Sequence, residues 1–115
     1  MLNAGVIGMG IGEKHALAYQ NHDEAYLKTV CDFNQEKLKE LKTEFPNVSM
    51  ETNDQSILED ADIDIVSIAS YDNYHSKQIV KAFENGKHVV AEKPLCLNLD
   101  EMLEIKAAHK QNEDL

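Results

Sequence analysis

At 115 residues the chain is the length of one domain, enough to bury a core and short of a two-domain enzyme. Its 21 acidic residues against 11 basic ones give a net charge of −10, and all 11 are lysine, so the basic face that a nucleic-acid binder needs is missing. No apolar run reaches the roughly 18 residues of a membrane span, and no basic-then-apolar leader opens the chain, so a cytoplasmic domain that meets neither membrane nor nucleic acid is expected.

Short apolar runs alternate with longer segments of helical period. AGVIG (4–8) reads as a buried strand, EKHALAYQNH (13–22) as a helix and YLKTVCD (26–32) as a second strand. NQEKLKELKTEF (34–45) puts Leu38, Leu41 and Phe45 on one helical face behind Asn34 as N-cap, and Pro46-Asn47 ends it. VSMET (48–52) is a weak third strand and NDQSILED (53–60) a short helix. DIDIVSIAS (62–70) is nearly continuous in apolar residues, which marks a strand buried on both faces of a parallel sheet. NYHSKQIVKAFENG (73–86) is a helix closing on Gly86 as C′, KHVVAEK (87–93) a fifth strand, and NLDEMLEIKAAHKQN (98–112) a last helix opened by Asn98-x-x-Glu101.

Five strands separated by helices predict an α/β fold, a doubly wound (Rossmann) parallel sheet of order 3-2-1-4-5. The chain stops where a sixth strand would begin, so residues 1–115 are expected to be one nucleotide-binding domain.

Gly8-x-Gly10-x-Gly12 follows the first strand and is one residue short of the dinucleotide fingerprint G-x-G-x-x-G. In such a loop the first glycine makes the tight turn and the second lets backbone approach a phosphate. The third lets helix and strand pack closely, and the helix N-terminus offers free N–H groups. Asp32 ends the second strand near the offset of about 20 residues expected of an acid that binds the adenine ribose. A carboxylate there accepts from a ribose diol and repels a 2′-phosphate, which favours NAD over NADP. The same pattern fits the S-adenosylmethionine loop of class I methyltransferases, although the acid usual two positions before the first glycine is Val6 here. A tight turn without a ligand fits the glycines alone. Cys31 and Cys96 form no C-x-x-C and the five histidines show no ligand spacing, so no metal is expected.

SIASYDNYHSKQIVKAFENGKHVVAEKPLCLN carries more information than the glycines. It resembles the Gfo/Idh/MocA family of NAD(P)-dependent oxidoreductases, which has a Thr-Pro-Asn-x-x-His turn after strand 4, then a helix, a GKHV strand and Glu-Lys-Pro. Glu92-Lys93-Pro94 matches outright. In the turn Ser70, Tyr71 and Asp72 replace Thr, Pro and Asn, while His75 is kept. His15, three residues after Gly12, matches a family histidine and marks the loop as a variant one residue shorter.

The resemblance spans the whole chain. It implies a cofactor site made by Gly8, Met9, Gly10, Ile11, Gly12, Asp32, Phe33, Ser70, Tyr71, Asp72, His75, Glu92 and Lys93. Lys93 is the expected catalytic cation beside the nicotinamide ribose and the substrate hydroxyl, with Glu92 pairing it or holding the nicotinamide end, and the Lys93-Pro94 bond is expected to be cis. His15 is expected to be structural. The implied parent is a homo-oligomeric NAD-dependent dehydrogenase of a sugar, cyclitol or similar polyol. Its substrate domain lies outside these residues, leaving the chain alone catalytically incomplete. A dinucleotide-sensing module without catalysis is the other reading.

Overall fold

In the computed structural model, which describes Met1–Leu115, five parallel strands form one sheet of order β3-β2-β1-β4-β5. The elements are β1 (Leu2–Ile7), α1 (Gly12–Gln20), β2 (Ala25–Cys31), α2 (Gln35–Leu41), β3 (Ser49–Glu51), α3 (Gln55–Leu58), β4 (Ile65–Ile68), α4 (His75–Glu84), β5 (His88–Ala91) and α5 (Leu99–Lys110). The expected doubly wound topology is present. No helix is long and apolar enough to cross a membrane.

Successive strand residues face opposite sides of a sheet, so each central strand feeds two cores. Val6 and Val30 join Met9, Ala16, Leu27, Leu38, Leu41, Phe45 and Val48 on the side of α1 and α2. Ile7 and Cys31 join Ile57, Val66, Ile68, Ile79 and Ile105 on the other side. Phe45 is fully buried although it lies beyond α2. The expected helix stops at Leu41 because the chain tightens into turns ahead of Pro46, and the residue before a proline is pushed out of the helical region.

The caps expected from the sequence hold the helices. Asn34 Oδ1 accepts from the N–H groups of Glu36 and Lys37 at 3.0 and 3.3 Å. Asn98 Oδ1 accepts from Glu101 N–H at 2.9 Å, while the Glu101 carboxylate reaches back one residue further than a standard capping box, to Leu97 N–H at 2.8 Å. Gly86, at φ +73°, ends α4 with bonds from Gly86 N–H to Phe83 and from Lys87 N–H to Ala82, the two bonds of a Schellman motif.

β4 and α4 also start later than expected. β4 is shorter because Asp62 and Asp64 belong to the preceding turn: Asp62 N–H is taken by the Asp60 carboxylate, and the Asp64 carboxylate accepts Asn3 N–H. Asp72–Tyr74 form a 3-10 turn of their own, so α4 begins at His75.

Lys87, in the GKHV run, is buried with 1% exposure at the end of the sheet away from the strand C-termini. Its Nζ donates to the carbonyl oxygens of Asp60 at 2.5 Å and Ile63 at 2.9 Å. Burial holds its pKa below the usual value of 10.5, opposed by Asp60 and Asp64. Lys87→Met keeps the stem but orphans two carbonyls, and is expected to cost about 1–3 kcal/mol of unfolding free energy. Between the lowered pKa and 10.5 the unfolded chain binds the extra proton, so wild type gains stability on the variant as pH rises through that window. Parallel urea titrations from pH 7 to 10.5 measure both effects.

Candidate functional site

The strand order reverses direction at β1, whose neighbours are β2 and β4, and in such sheets a crevice opens beyond the strand C-termini at the reversal. Gly8 stands there at φ +91°, and a Cβ on it would lie 2.6 Å from the Ala69 carbonyl group and from Ser70 N. Only glycine fits. At Gly12 a Cβ would lie 2.9 Å from Val6 Cγ1, so the missing side chain lets α1 sit close on β1. Gly10 differs, since a Cβ there would meet nothing within 4 Å. The N–H groups of Gly10, Ile11 and Gly12 donate to no group of the protein, which leaves three consecutive donors at the start of α1.

A cleft of about 610 Å³ lies against this loop. Of the residues named from the sequence it brings together Gly8, Gly10, Ile11, Asp32, Phe33, Ser70, Tyr71 and Asp72. Asp32 is held rigidly: Oδ2 accepts from Met9 N–H at 2.8 Å and Oδ1 from Asn34 N–H at 2.9 Å. Each carboxylate oxygen accepts two hydrogen bonds, so one position on each stays free for a diol. Phe33 meets Tyr74 edge to face, with ring centroids 5.3 Å apart, and so ties the turn after β2 to the turn after β4. Behind that second turn Ser70 Oγ donates to Gln78 Oε1 at 2.5 Å, and Gln78 Nε2 donates to the Asp54 carboxylate at 2.9 Å.

Five more residues line the cleft: Ile7, Cys31, Asn34, Lys37 and Ala69. Asn34 shows in the sequence only as a cap. Lys37 sits one helical turn into α2 and is the only cation in the lining. Cys31, on the floor, has its thiol pushed up to about 12 by burial, with Asp54, Asp32 and Glu51 adding to the rise, which keeps it unreactive.

The other named residues lie outside the cleft lining. Met9 is corrected from a cofactor contact to a core residue: its side chain is fully buried and its N–H is spent on Asp32. Gly12 belongs to the helix–strand contact, with only its N–H open to the loop. His75 is likewise corrected. At 1% exposure its ring lies between two carbonyl oxygens, Nδ1 2.7 Å from that of Pro94 and Nε2 2.8 Å from that of Ser70.

Glu92 does not pair Lys93. Its Oε2 lies 2.8 Å from His15 Nε2, and His15 Nδ1 lies 3.0 Å from Ser67 Oγ, itself 2.8 Å from the Tyr19 hydroxyl. Burial raises the Tyr19 pKa above 10.0, offset by the Ser67 bond, so Tyr19 stays a donor. Lys93 is exposed with no carboxylate within 4.0 Å, and its bond to Pro94 is cis. A lone serine in the apolar run of β4, with His15 and Tyr19 four apart on α1, was the readable signal for this chain of bonds.

Residues 2–115 match the Gfo/Idh/MocA oxidoreductase family in its NAD-binding Rossmann fold. Among curated proteins the chain is 35% identical to myo-inositol 2-dehydrogenase of Thermotoga maritima over 107 residues, 90% of this chain and 32% of that one. It is 33% identical to levoglucosan dehydrogenase of Pseudarthrobacter phenanthrenivorans over 103 residues, 82% of this chain and 26% of that one. Among solved structures, scyllo-inositol dehydrogenase of Lactobacillus casei with bound NAD(H) and scyllo-inositol superposes with a TM-score of 0.90 at 27% identity, over 100% of this chain and 34% of that one. The chain therefore belongs to the Gfo/Idh/MocA oxidoreductases and forms their NAD-binding Rossmann domain. It spans about a third of the length of the relatives it matches. The methyltransferase reading is set aside by these matches.

Asp32→Ala is expected to weaken NAD binding by about 1–3 kcal/mol, because the ribose acceptor and the anchor of the glycine loop are lost together. Isothermal titration of both proteins with NAD checks this. An unchanged dissociation constant would remove Asp32 from the site.

Proposed function

We propose that the chain is the cofactor-holding part of an NAD-dependent dehydrogenase that interconverts a secondary alcohol and a ketone on a sugar, cyclitol or similar polyol. The observation that carries this reading is the Asp32 carboxylate, doubly bonded to backbone and facing the same cleft as Gly10 and Ile11.

NAD, when bound, supplies the hydride acceptor. The free N–H groups of Gly10, Ile11 and Gly12 receive a diphosphate at the positive end of α1. Asp32 accepts from the adenine-ribose hydroxyls, while Phe33 and Tyr71 offer flat apolar surface at the cleft. Lys93, just past the end of β5 and free of any ion pair, offers an ammonium to the alcohol oxygen. A cation there stabilises alkoxide character as hydride leaves. The polyol class is supported by the relatives, which are named as dehydrogenases of inositols and levoglucosan.

A substrate domain outside residues 1–115 completes the site in this reading. The free thiols of Cys31 and Cys96 suit a reducing cytoplasm. The open edge of β5 and exposed Leu97, Leu99 and Leu103 suit cover by that further part of the parent.

Titration with NAD, NADP and S-adenosylmethionine tests the reading. NAD is expected to bind at least about tenfold more tightly than NADP, because Asp32 repels a 2′-phosphate and Lys37 is the lone cation near it. S-adenosylmethionine is expected not to bind. Tighter binding of NADP, or of S-adenosylmethionine, overturns the assignment.

A further inference from the structure

Lys93 has a long, unpartnered side chain on a backbone that little else holds. Glu92 N–H makes the last ladder bond of the sheet edge, to Ile68 at 2.9 Å. From Lys93 to Cys96 no backbone N–H donates within the protein, and bonding resumes at Leu97. A cation meant to meet a small developing charge must be placed to well under 1 Å, which an untethered stretch does not achieve.

The residues on either side of Lys93 are tethered, each by a histidine from a different helix. Before it, the Glu92 carboxylate takes a hydrogen bond from His15 on α1. A carboxylate only accepts, so Nε2 of His15 carries the hydrogen. With a single hydrogen on the ring, at Nε2, Nδ1 accepts from the Ser67 hydroxyl, which accepts in turn from Tyr19. This direction satisfies every group, and it anchors His15 to a serine of β4 that is fully buried. After Lys93, the Pro94 carbonyl oxygen lies 2.7 Å from Nδ1 of His75 on α4, whose other nitrogen lies 2.8 Å from the Ser70 carbonyl of the cleft wall. A ring between two carbonyls donates to one in either neutral tautomer and to both when both nitrogens carry hydrogen. α1 packs on one face of the sheet and α4 on the other, so the grip comes from both sides.

We propose that His15 and His75 are positioning residues that bracket Lys93, fixing Glu92 and Pro94 so that the intervening lysine is held toward the cleft. The idea rests on the reading of Lys93 as the site's cation, and the test separates the two.

Backbone ¹⁵N relaxation of the 115-residue chain reads the positioning directly. In wild type the Lys93 amide is expected to be ordered, with S² about 0.85. In His15→Leu and in His75→Leu it is expected to fall below about 0.6, while amides of β4 keep their values. Ser67→Ala, which removes one hydroxyl, lowers Lys93 order in the same direction and serves if a larger change prevents folding. His15→Gln keeps an amide donor for Glu92 and restores the order. Unchanged order at Lys93, or an equal loss throughout the sheet, overturns the proposal.

NADH and ADP-ribose, which lacks the nicotinamide, are then titrated into the same variants and into Lys93→Met. Loss of Lys93 is expected to weaken NADH about fivefold and ADP-ribose less than twofold. The histidine variants reproduce that selective loss and add nothing in the Lys93→Met background. A histidine variant that weakens both ligands equally overturns the positioning role. Unchanged NADH affinity in Lys93→Met sinks the role of Lys93 instead, and leaves the relaxation result to decide the bracketing.

Discussion

The close approach of Gly8 to the Ala69–Ser70 backbone is the constraint on which the site depends. Gly8 N–H bonds the Cys31 carbonyl on one side, and Ala69 N–H bonds the Ile7 carbonyl on the other, so the end of β1 is drawn toward both neighbours. Without a side chain at position 8, three strand ends converge there and their connections fan outward. That convergence sets the glycine loop, the Asp32 carboxylate and the Ser70–Asp72 turn around one cleft. A methyl group at Gly8 would push against backbone, which cannot rotate away as a side chain can.

Helix α1 is seated with small residues at its most buried positions. Its buried positions are Gly12 and Ala16, small enough for the helix to lie close on the sheet. Leu17 and the Tyr19 ring add partly buried apolar contact, and the polar ends of His15 and Tyr19 converge on Ser67. A half-satisfied polar chain in that position would cost more than an apolar one, and here every buried side-chain nitrogen and oxygen has a partner. The same helix therefore offers free N–H groups at its start and holds the strand ends one turn later.

Most of the architecture was legible because buried strands advertise themselves as unbroken apolar runs and caps as single residues at fixed offsets. β4, Asn34, Gly86 and the strand order all follow from such local signals. Asp32 was legible for a similar reason, as an acid at a strand end a set distance from a glycine loop. The partners of Glu92 and His75 were not. Reading Glu92 with Lys93 treats chain neighbours as contacts, yet successive residues of extended chain point to opposite sides, and Glu92 finds His15 across 77 residues. Met9 has the look of a loop residue because nothing local shows that its side chain turns down into the core. Lys87 has the look of a solvated residue because lysines usually are, and only the carbonyls of the Asp60–Ile63 turn explain its burial.

The bond from Met9 N–H to Asp32 ties two properties that a lineage would otherwise change separately. Admitting a bulkier, more negative cofactor means removing the carboxylate. The same step releases the glycine loop and the N–H of Asn34, so the first mutation along that route loosens the pocket before it offers any new affinity. A neutral hydrogen-bond acceptor at position 32, or a second tether for the loop, has to come first. Cofactor choice in this domain is thus epistatic with loop order, and drift of single residues is biased toward keeping the choice it has.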